Sequence, residues 1–197
     1  MTKRGAAAAA FMAAAAVGVG IVVTGPASGA VVPQARATLV NTAGDVVGEV
    51  VFKGHGSHAN LVEVDVTAPA APGLGAFHGF HVHTVGNCNP TPSGSSNVPF
   101  GSAGGHWNPG AATHGAHAGD MPSLLFTADG TAHATFETDR FDVDSLLDAG
   151  GDGAAVILHA GADNFANVPP AYGAANATTL ATGDAGPRYA CGVITEP

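Results

Sequence analysis

His81 and His83 stand two residues apart in Gly79-Phe80-His81-Val82-His83. The Phe and Val between and beside them predict a strand, on which residues i and i+2 face the same way, about 7 Å apart. Two neutral imidazoles held on one face of rigid backbone make half of a metal site. The other half is offered downstream by His106, His114, His117, Asp120 and His159, all among glycine-rich segments, with Arg188 shortly before a cysteine. Imidazole-rich donor sets suit copper and zinc. The chain has 10 histidines, and the remaining ones have other expected places. His55 and His58 sit in a Gly/Ser/Lys turn and are expected at the surface. His133 alternates with Ala132 and Ala134 and is also expected at the surface. His78 is out of phase with His81, so it should face the opposite way and hydrogen-bond to backbone.

The elements that must hold these groups read as strands. Short alternating apolar runs cover 36–42, 46–52, 60–67, 77–84, 122–127, 131–138, 153–160 and 189–195. In Leu61-Val62-Glu63-Val64-Asp65-Val66 the valines predict one face and the acids the other. Asn41-Thr42-Ala43-Gly44-Asp45 and Ala128-Asp129-Gly130 carry hairpin-turn residues. A single helical turn is expected within 141–149, where Asp142 and Asp144 precede Ser145-Leu146-Leu147. Eight strands with almost no helical period predict an all-β barrel or sandwich. Two segments, 85–121 and 161–188, are too long for ordinary connections and hold or flank most of the ligand candidates. Long ordered loops on a compact domain are commonly functional.

The chain of 197 residues allows one domain. Met1-Thr2-Lys3-Arg4 is a basic start, residues 6–23 are an uncharged apolar run, and Gly25-Pro26 ends it before Ser28-Gly29-Ala30. This is the layout of a secretory signal, with cleavage expected after Ala30 and Ala37 as a second candidate. Residues 31–197 would then be the mature domain, exported to the cell envelope or medium and not inserted in a membrane. Losing Lys3 and Arg4 would leave 4 basic against 15 acidic residues, a net charge of −11. Such a surface disfavours nucleic acid and anionic membranes. Cys88 and Cys191 are the only cysteines. Export favours a disulfide between them over two buried thiols.

Longer motifs carry a resemblance. Phe77-His78-Gly79-Phe80-His81-Val82-His83, Gly105-His106-Trp107-Asn108-Pro109, His117-Ala118-Gly119-Asp120, Ile157-Leu158-His159-Ala160-Gly161 and the ending Gly183-Asp184-Ala185-Gly186-Pro187-Arg188-Tyr189-Ala190-Cys191-Gly192-Val193-Ile194 resemble the copper–zinc superoxide dismutase family in its bacterial secreted, actinobacterial-like form. The likeness spans about residues 36–195. It implies an eight-stranded Greek-key β-barrel with two long functional loops, and dismutation of superoxide to oxygen and hydrogen peroxide. It assigns copper to His81, His83, His106 and His159, and zinc to His106, His114, His117 and Asp120, with His106 bridging the two. It makes Asp163 the acid behind His81 and His114, Arg188 the superoxide guide, Thr182 a residue narrowing the channel, and Cys88–Cys191 the intrachain disulfide. One departure stands out: only Gly115-Ala116 separates His114 from His117, where most members place a longer segment. That compression leaves a copper-only protein as an open reading.

Three rivals remain on sequence grounds. A copper-buffering protein on the same barrel would keep the histidines and have no need of Arg188. A cupredoxin needs a Cys thiolate ligand and commonly a Met, but Met121 is the only methionine beyond the signal and both cysteines are expected to be paired. A zinc hydrolase would need a general base that no free acid is placed to supply. The sequence leaves oligomeric state open, a homodimer included.

Overall fold

The computed structural model describes residues 32–55, 58–68, 75–93 and 96–197. The expected signal segment and the side chains of His55 and His58 lie outside the described residues. Among the described residues no helix is long and apolar enough to cross a membrane.

Alternation builds the first strands. In β1 (Val32–Asn41), Ala35, Ala37 and Leu39 are fully buried while Gln34, Arg36 and Thr38 face water. β2 (Val46–His55) and β3 (His58–Ala68) follow antiparallel, the first turn closed by the Asn41 side chain accepting from the Ala43 and Asp45 amides. β4 (Ala76–His78), β5 (Phe80–His83), β6 (Thr91–Ser93), β7 (Ser96–Val98), β8 (Leu124–Phe126), β9 (Ala132–Thr138), β10 (Ala155–His159) and β11 (Arg188–Val193) complete the set. One seven-stranded antiparallel sheet runs β5-β10-β11-β1-β2-β3-β9. β4 pairs with β8, and the Thr127 amide donates to the Thr131 carbonyl, carrying β8 into β9 and turning the sheet back on itself. The result is a curled antiparallel sheet, as expected for the all-β barrel that the strand spacing predicts and for the Greek-key form that the resemblance implies.

The predicted strand 77–84 divides in two. Its break falls at Gly79, whose amide donates to the Gly161 carbonyl and whose carbonyl accepts from the His159 amide. A Cβ on Gly79 would come within 2.6 Å of the Ala185 side chain, so only glycine admits this backbone approach. Upstream of it the chain pairs with β8, and downstream with β10. The β6–β7 hairpin was not anticipated, because its Thr, Pro, Ser and Asn residues read as turn chemistry. The expected helical turn is present as α1 (Val143–Leu147), with the Asp142 carboxylate accepting from the Ser145 amide at its start. A second short helix, α2 (Thr179–Thr182), lies in the second long loop.

β10 is buried along its whole length because both of its faces are covered. Val156 and Leu158 enter the main core with Phe52, Phe80, Leu124, Phe126 and Leu146. Ala155 and Ile157 pack on the other side with Phe100, Ala103, Cys88 and Cys191. Cys88 and Cys191 form a disulfide across a sequence separation of 103. A closure of that length contributes about 4–5 kcal/mol in the chain-entropy picture. It also anchors the first long loop, through Phe100 and Ala103, to the outside of the barrel.

Candidate metal centre

β5 forms one edge of the large sheet, and that edge is where the site is assembled. Its free backbone groups are taken up by loop segments: Trp107 donates to the Val82 carbonyl, and Val82 donates to the Gly119 carbonyl. Two isolated antiparallel bridges, His83 to His106 and His81 to Asp120, mark the same contacts. A Cβ on Gly119 would collide with the Val82 carbonyl, so glycine is required for the loop to dock. The edge therefore carries His81 and His83 on its own strand and draws His106 and Asp120 to it through backbone pairing.

Four of the imidazoles are oriented through one nitrogen each. His83 Nδ1 donates to the Gly104 carbonyl at 2.9 Å, and His159 Nδ1 donates to the Gly186 carbonyl at 3.0 Å. His81 Nε2 donates to Asp163 Oδ2 at 2.6 Å, and His114 Nε2 donates to Asp163 Oδ1 at 2.8 Å. The remaining nitrogens, His81 Nδ1, His83 Nε2, His114 Nδ1 and His159 Nε2, are buried without a hydrogen-bond partner. Buried polar atoms are nearly always satisfied. Orphaned acceptors gathered in one place fit a metal ion, and outer hydrogen bonds that fix the ring tautomer are the usual support of such a site. His81, His83, His106 and His159 offer ligand atoms all within 4.8 Å of one another.

A second group, His81, His106, His114 and Asp120, shares His81 and His106 with the first, and His117 lies beside it. His106 Nδ1 lies 3.0 Å from Asp120 Oδ1, and His114 Nδ1 and His117 Nδ1 each lie 3.3 Å from that same oxygen. His117 Nδ1 is also 3.3 Å from His106 Nδ1. A tetrahedral zinc ion with bonds of about 2.0–2.1 Å holds its donors about 3.3–3.4 Å apart. The 3.3 Å separations match that spacing, and the two-residue spacer Gly115-Ala116 lets the His114 and His117 rings reach the same Asp120 oxygen. Gly115 makes this possible with φ of 86°, and the Gly115 and His117 amides both donate to Asp120 Oδ2. Since Nδ1 of His106 faces this group, its Nε2 is the atom left for the four-histidine group.

Arg188 sits on β11, opposite His159 in register at a local bulge. Its guanidinium donates to the carbonyls of Phe100 and Gly104, the loop that the disulfide anchors. The half-buried side chain lines a cavity of about 550 Å³ together with His83, His106, His159, Thr182 and Asp184. Thr182 donates to the Thr178 carbonyl at the end of α2. Of the other histidines, His78 and His133 fall as predicted. His78 is buried, its Nδ1 bonded to the His159 carbonyl at 3.1 Å, and His133 is exposed.

Sequence reasoning missed three supports. Gly183, with φ of 61°, lies directly on the Asp163–His114 contact, where a Cβ would strike both. The His114 amide donates to the Leu180 carbonyl, tying the two long loops together. Asp184 stands on the cavity wall and accepts from Asn164. The glycine following Thr182 was the only available sign of the first, and nothing local signals the others.

Burial depresses the basicity of His83 well below the ordinary value, aided by His106 and Arg188. Burial likewise takes His159 down to about 3 and lowers His81, the Asp163 bond only partly offsetting it there. At His114 burial opposes the charged form, yet the Asp120 and Asp163 carboxylates raise it to about 9. Burial would raise both acids, but their histidine partners hold Asp120 and Asp163 below the usual carboxylate range. The metal-free protein should therefore be most stable near neutrality. As pH falls from about 6.5, the unfolded chain takes up protons that His81, His83 and His159 resist, and below about 4 the two acids add to the loss. As pH rises toward 9, His114 releases its proton and its contribution fades. Melting temperatures of metal-free protein between pH 3 and 10 would check this; a flat profile from pH 4 to 9 would contradict it. Metal binding, which needs His114 Nδ1 unprotonated, should remove the alkaline limb.

The family described as "Copper/zinc superoxide dismutase (SODC)" matches residues 46–194. Proteins named "Superoxide dismutase [Cu-Zn]" from Mycobacterium bovis and Mycobacterium tuberculosis are each 48% identical over 128 residues, 60% of this chain and 52% of theirs. One of the same name from Deinococcus radiodurans is 32% identical over 173 residues, 82% of this chain and 84% of its own. The chain thus aligns with about half the length of the mycobacterial relatives, at 52%.

Proposed function

Because this chain belongs to the copper/zinc superoxide dismutase family, we propose that it is an exported superoxide dismutase, converting two superoxide anions and two protons to oxygen and hydrogen peroxide. The observation that carries the reading is the set of inward, unpartnered imidazole nitrogens of His81, His83 and His159 beside His106, opening to a cavity where Arg188 is the cation. Those four histidines would hold copper. His106, His114, His117 and Asp120 would hold zinc. Copper supplies the one-electron chemistry when bound, cycling between its cupric and cuprous states.

The chain's own groups do the rest. Arg188 keeps its permanent charge despite burial and presents the N–H groups not used by Phe100 and Gly104 to a diatomic anion. Thr182 narrows the cavity from the α2 side. His106 can hold a proton at Nε2 only when that nitrogen is not serving as a metal donor, and can then release it to the reduced dioxygen as peroxide forms. Asp163 fixes His81 and His114 in one tautomer each, so neither ring turns when the proton moves.

Residues 1–30 would be removed as a signal. Burial of Ala35 and Ala37 inside β1 supports cleavage after Ala30, since a cut after Ala37 would discard half of that strand. The mature net charge of −11 argues against nucleic acid as a partner. A homodimer is compatible with this reading.

Copper- and zinc-loaded mature protein should accelerate superoxide decay after a radiolysis pulse, linearly with protein concentration, at a rate far above spontaneous dismutation. Full copper occupancy with decay no faster than buffer would overturn the enzyme and leave a copper buffer.

A further inference from the structure

Three of the four proposed zinc donors, His114, His117 and Asp120, come from one seven-residue turn. That turn is short, and its amides at Gly115 and His117 fold inward onto Asp120 Oδ2. Its carbonyls must consequently point outward. Three of them, at Gly115, His117 and Asp120, converge on a single nitrogen, Nη1 of Arg140, at 3.3, 3.2 and 3.4 Å. Parallel carbonyl dipoles aimed at one point repel one another, and a fixed cation there offsets the repulsion. Arg140 reaches them from the segment after β9, on the barrel wall, so its own backbone does not belong to either long loop. Among basic residues beyond Lys53 the chain has only Arg140 and Arg188. One lines the copper-side cavity, and the other sits beside a separate cavity with Gly115, Asp120 and Phe165.

We propose that Arg140 is a positioning residue for the second metal centre, clamping the outer carbonyls of the 115–120 turn so that its donors stay at tetrahedral separations without a longer loop. The proposal rests on the reading of His106, His114, His117 and Asp120 as a metal site. Arg140 touches neither metal nor substrate; it acts through the turn. A guanidinium suits the task because it is always charged and offers several N–H groups in a fixed plane. An ammonium in the same place keeps charge and donors but loses the plane, so it should serve in part.

Cobalt(II) added to the mature, metal-free protein is the probe, because a tetrahedral cobalt site shows visible bands that report geometry as well as occupancy. Copper(II) titration of the four-histidine group, read by its own visible band, is the internal control. Arg140→Met should weaken cobalt binding by roughly tenfold or more, the range seen when an outer support of a ligand is lost. Its cobalt bands should also weaken in intensity as the geometry relaxes. Copper affinity should change less than about twofold, and Arg140→Lys should recover part of the cobalt affinity. Equal losses of copper and cobalt would mean a general structural role and overturn the proposal. Unchanged cobalt affinity and spectrum in Arg140→Met would do so as well. Failure of the unmodified protein itself to bind cobalt or zinc would instead reject the second metal centre on which the proposal stands.

Discussion

Replacing Asp163 by leucine should loosen both metal centres in one step. The carboxylate bonds both His81 Nε2 and His114 Nε2, at 2.6 and 2.8 Å; the first ring offers a donor to the four-histidine group and the second lies beside Asp120. With it gone, two buried N–H groups lose their acceptor, at a cost of about 1–3 kcal/mol each. Both rings become free to flip, exchanging the nitrogen aimed at the metal for the one aimed away. Loss of an outer partner of this kind typically costs 10–100-fold in metal affinity. We expect roughly that loss for copper and for zinc together in competition titrations with a chelator. Asp163→Asn should fall between, since an amide keeps one acceptor oxygen and presents a donor where the other stood. A leucine variant that lost zinc alone and kept copper at full affinity would show that Asp163 serves only His114.

Much of this arrangement is legible in the sequence because its parts are short and periodic. His81 and His83 obey the two-residue repeat of a strand, and that repeat alone sent His78 to the other face, where it bonds the His159 carbonyl. The alternation in 36–42 and the turn residues at 41–45 located β1 and its hairpin for the same reason. What stayed hidden depends on contacts between distant loops. The break at Gly79 is imposed by Gly161 and Ala185, more than eighty residues away in sequence. Gly183 must be glycine because Asp163 and His114 occupy the space above it, a fact that no window around residue 183 contains. Arg140 follows a strand, and its three carbonyl partners belong to the turn at 115–120, so no window around residue 140 contains them. The compressed spacer was visible as a departure, but whether it could close on four donors required the positive φ of Gly115 and the two amide bonds to Asp120. Composition and period report what a segment favours locally; they carry no record of which loop packs on which.

Removing Arg188 should cut the bimolecular rate with superoxide by roughly tenfold or more, the lower range of electrostatic steering into a cleft. The net charge of −9 for the full chain repels an anion at long range. Asp184 on the cavity wall adds a local carboxylate to that repulsion. Arg188 is the one cation among the residues lining that cavity, and its placement is fixed from several sides. β11 sets its backbone beside His159, and the Phe100 and Gly104 carbonyls hold its guanidinium. Phe100 in turn packs with Cys88, Cys191 and Ile157, so the disulfide secures the loop that orients the arginine. Arg188→Ala should leave metal content unchanged, because the guanidinium bonds no proposed ligand directly and the Gly104 carbonyl it shares with His83 can keep that bond. The salt dependence separates guidance from a merely structural loss. In the unmodified protein the rate should fall as ionic strength rises, since screening weakens the attraction over a Debye length of about 10 Å at 0.1 M. In the variant only repulsion is left to screen, so the slope should flatten or turn positive. Asp184→Asn offers the opposite perturbation and should raise the rate at low salt. Pulse-radiolysis rates for the three proteins across an ionic-strength series decide the matter. An alanine variant with the unmodified rate and the unmodified slope would mean that superoxide finds this cleft without Arg188.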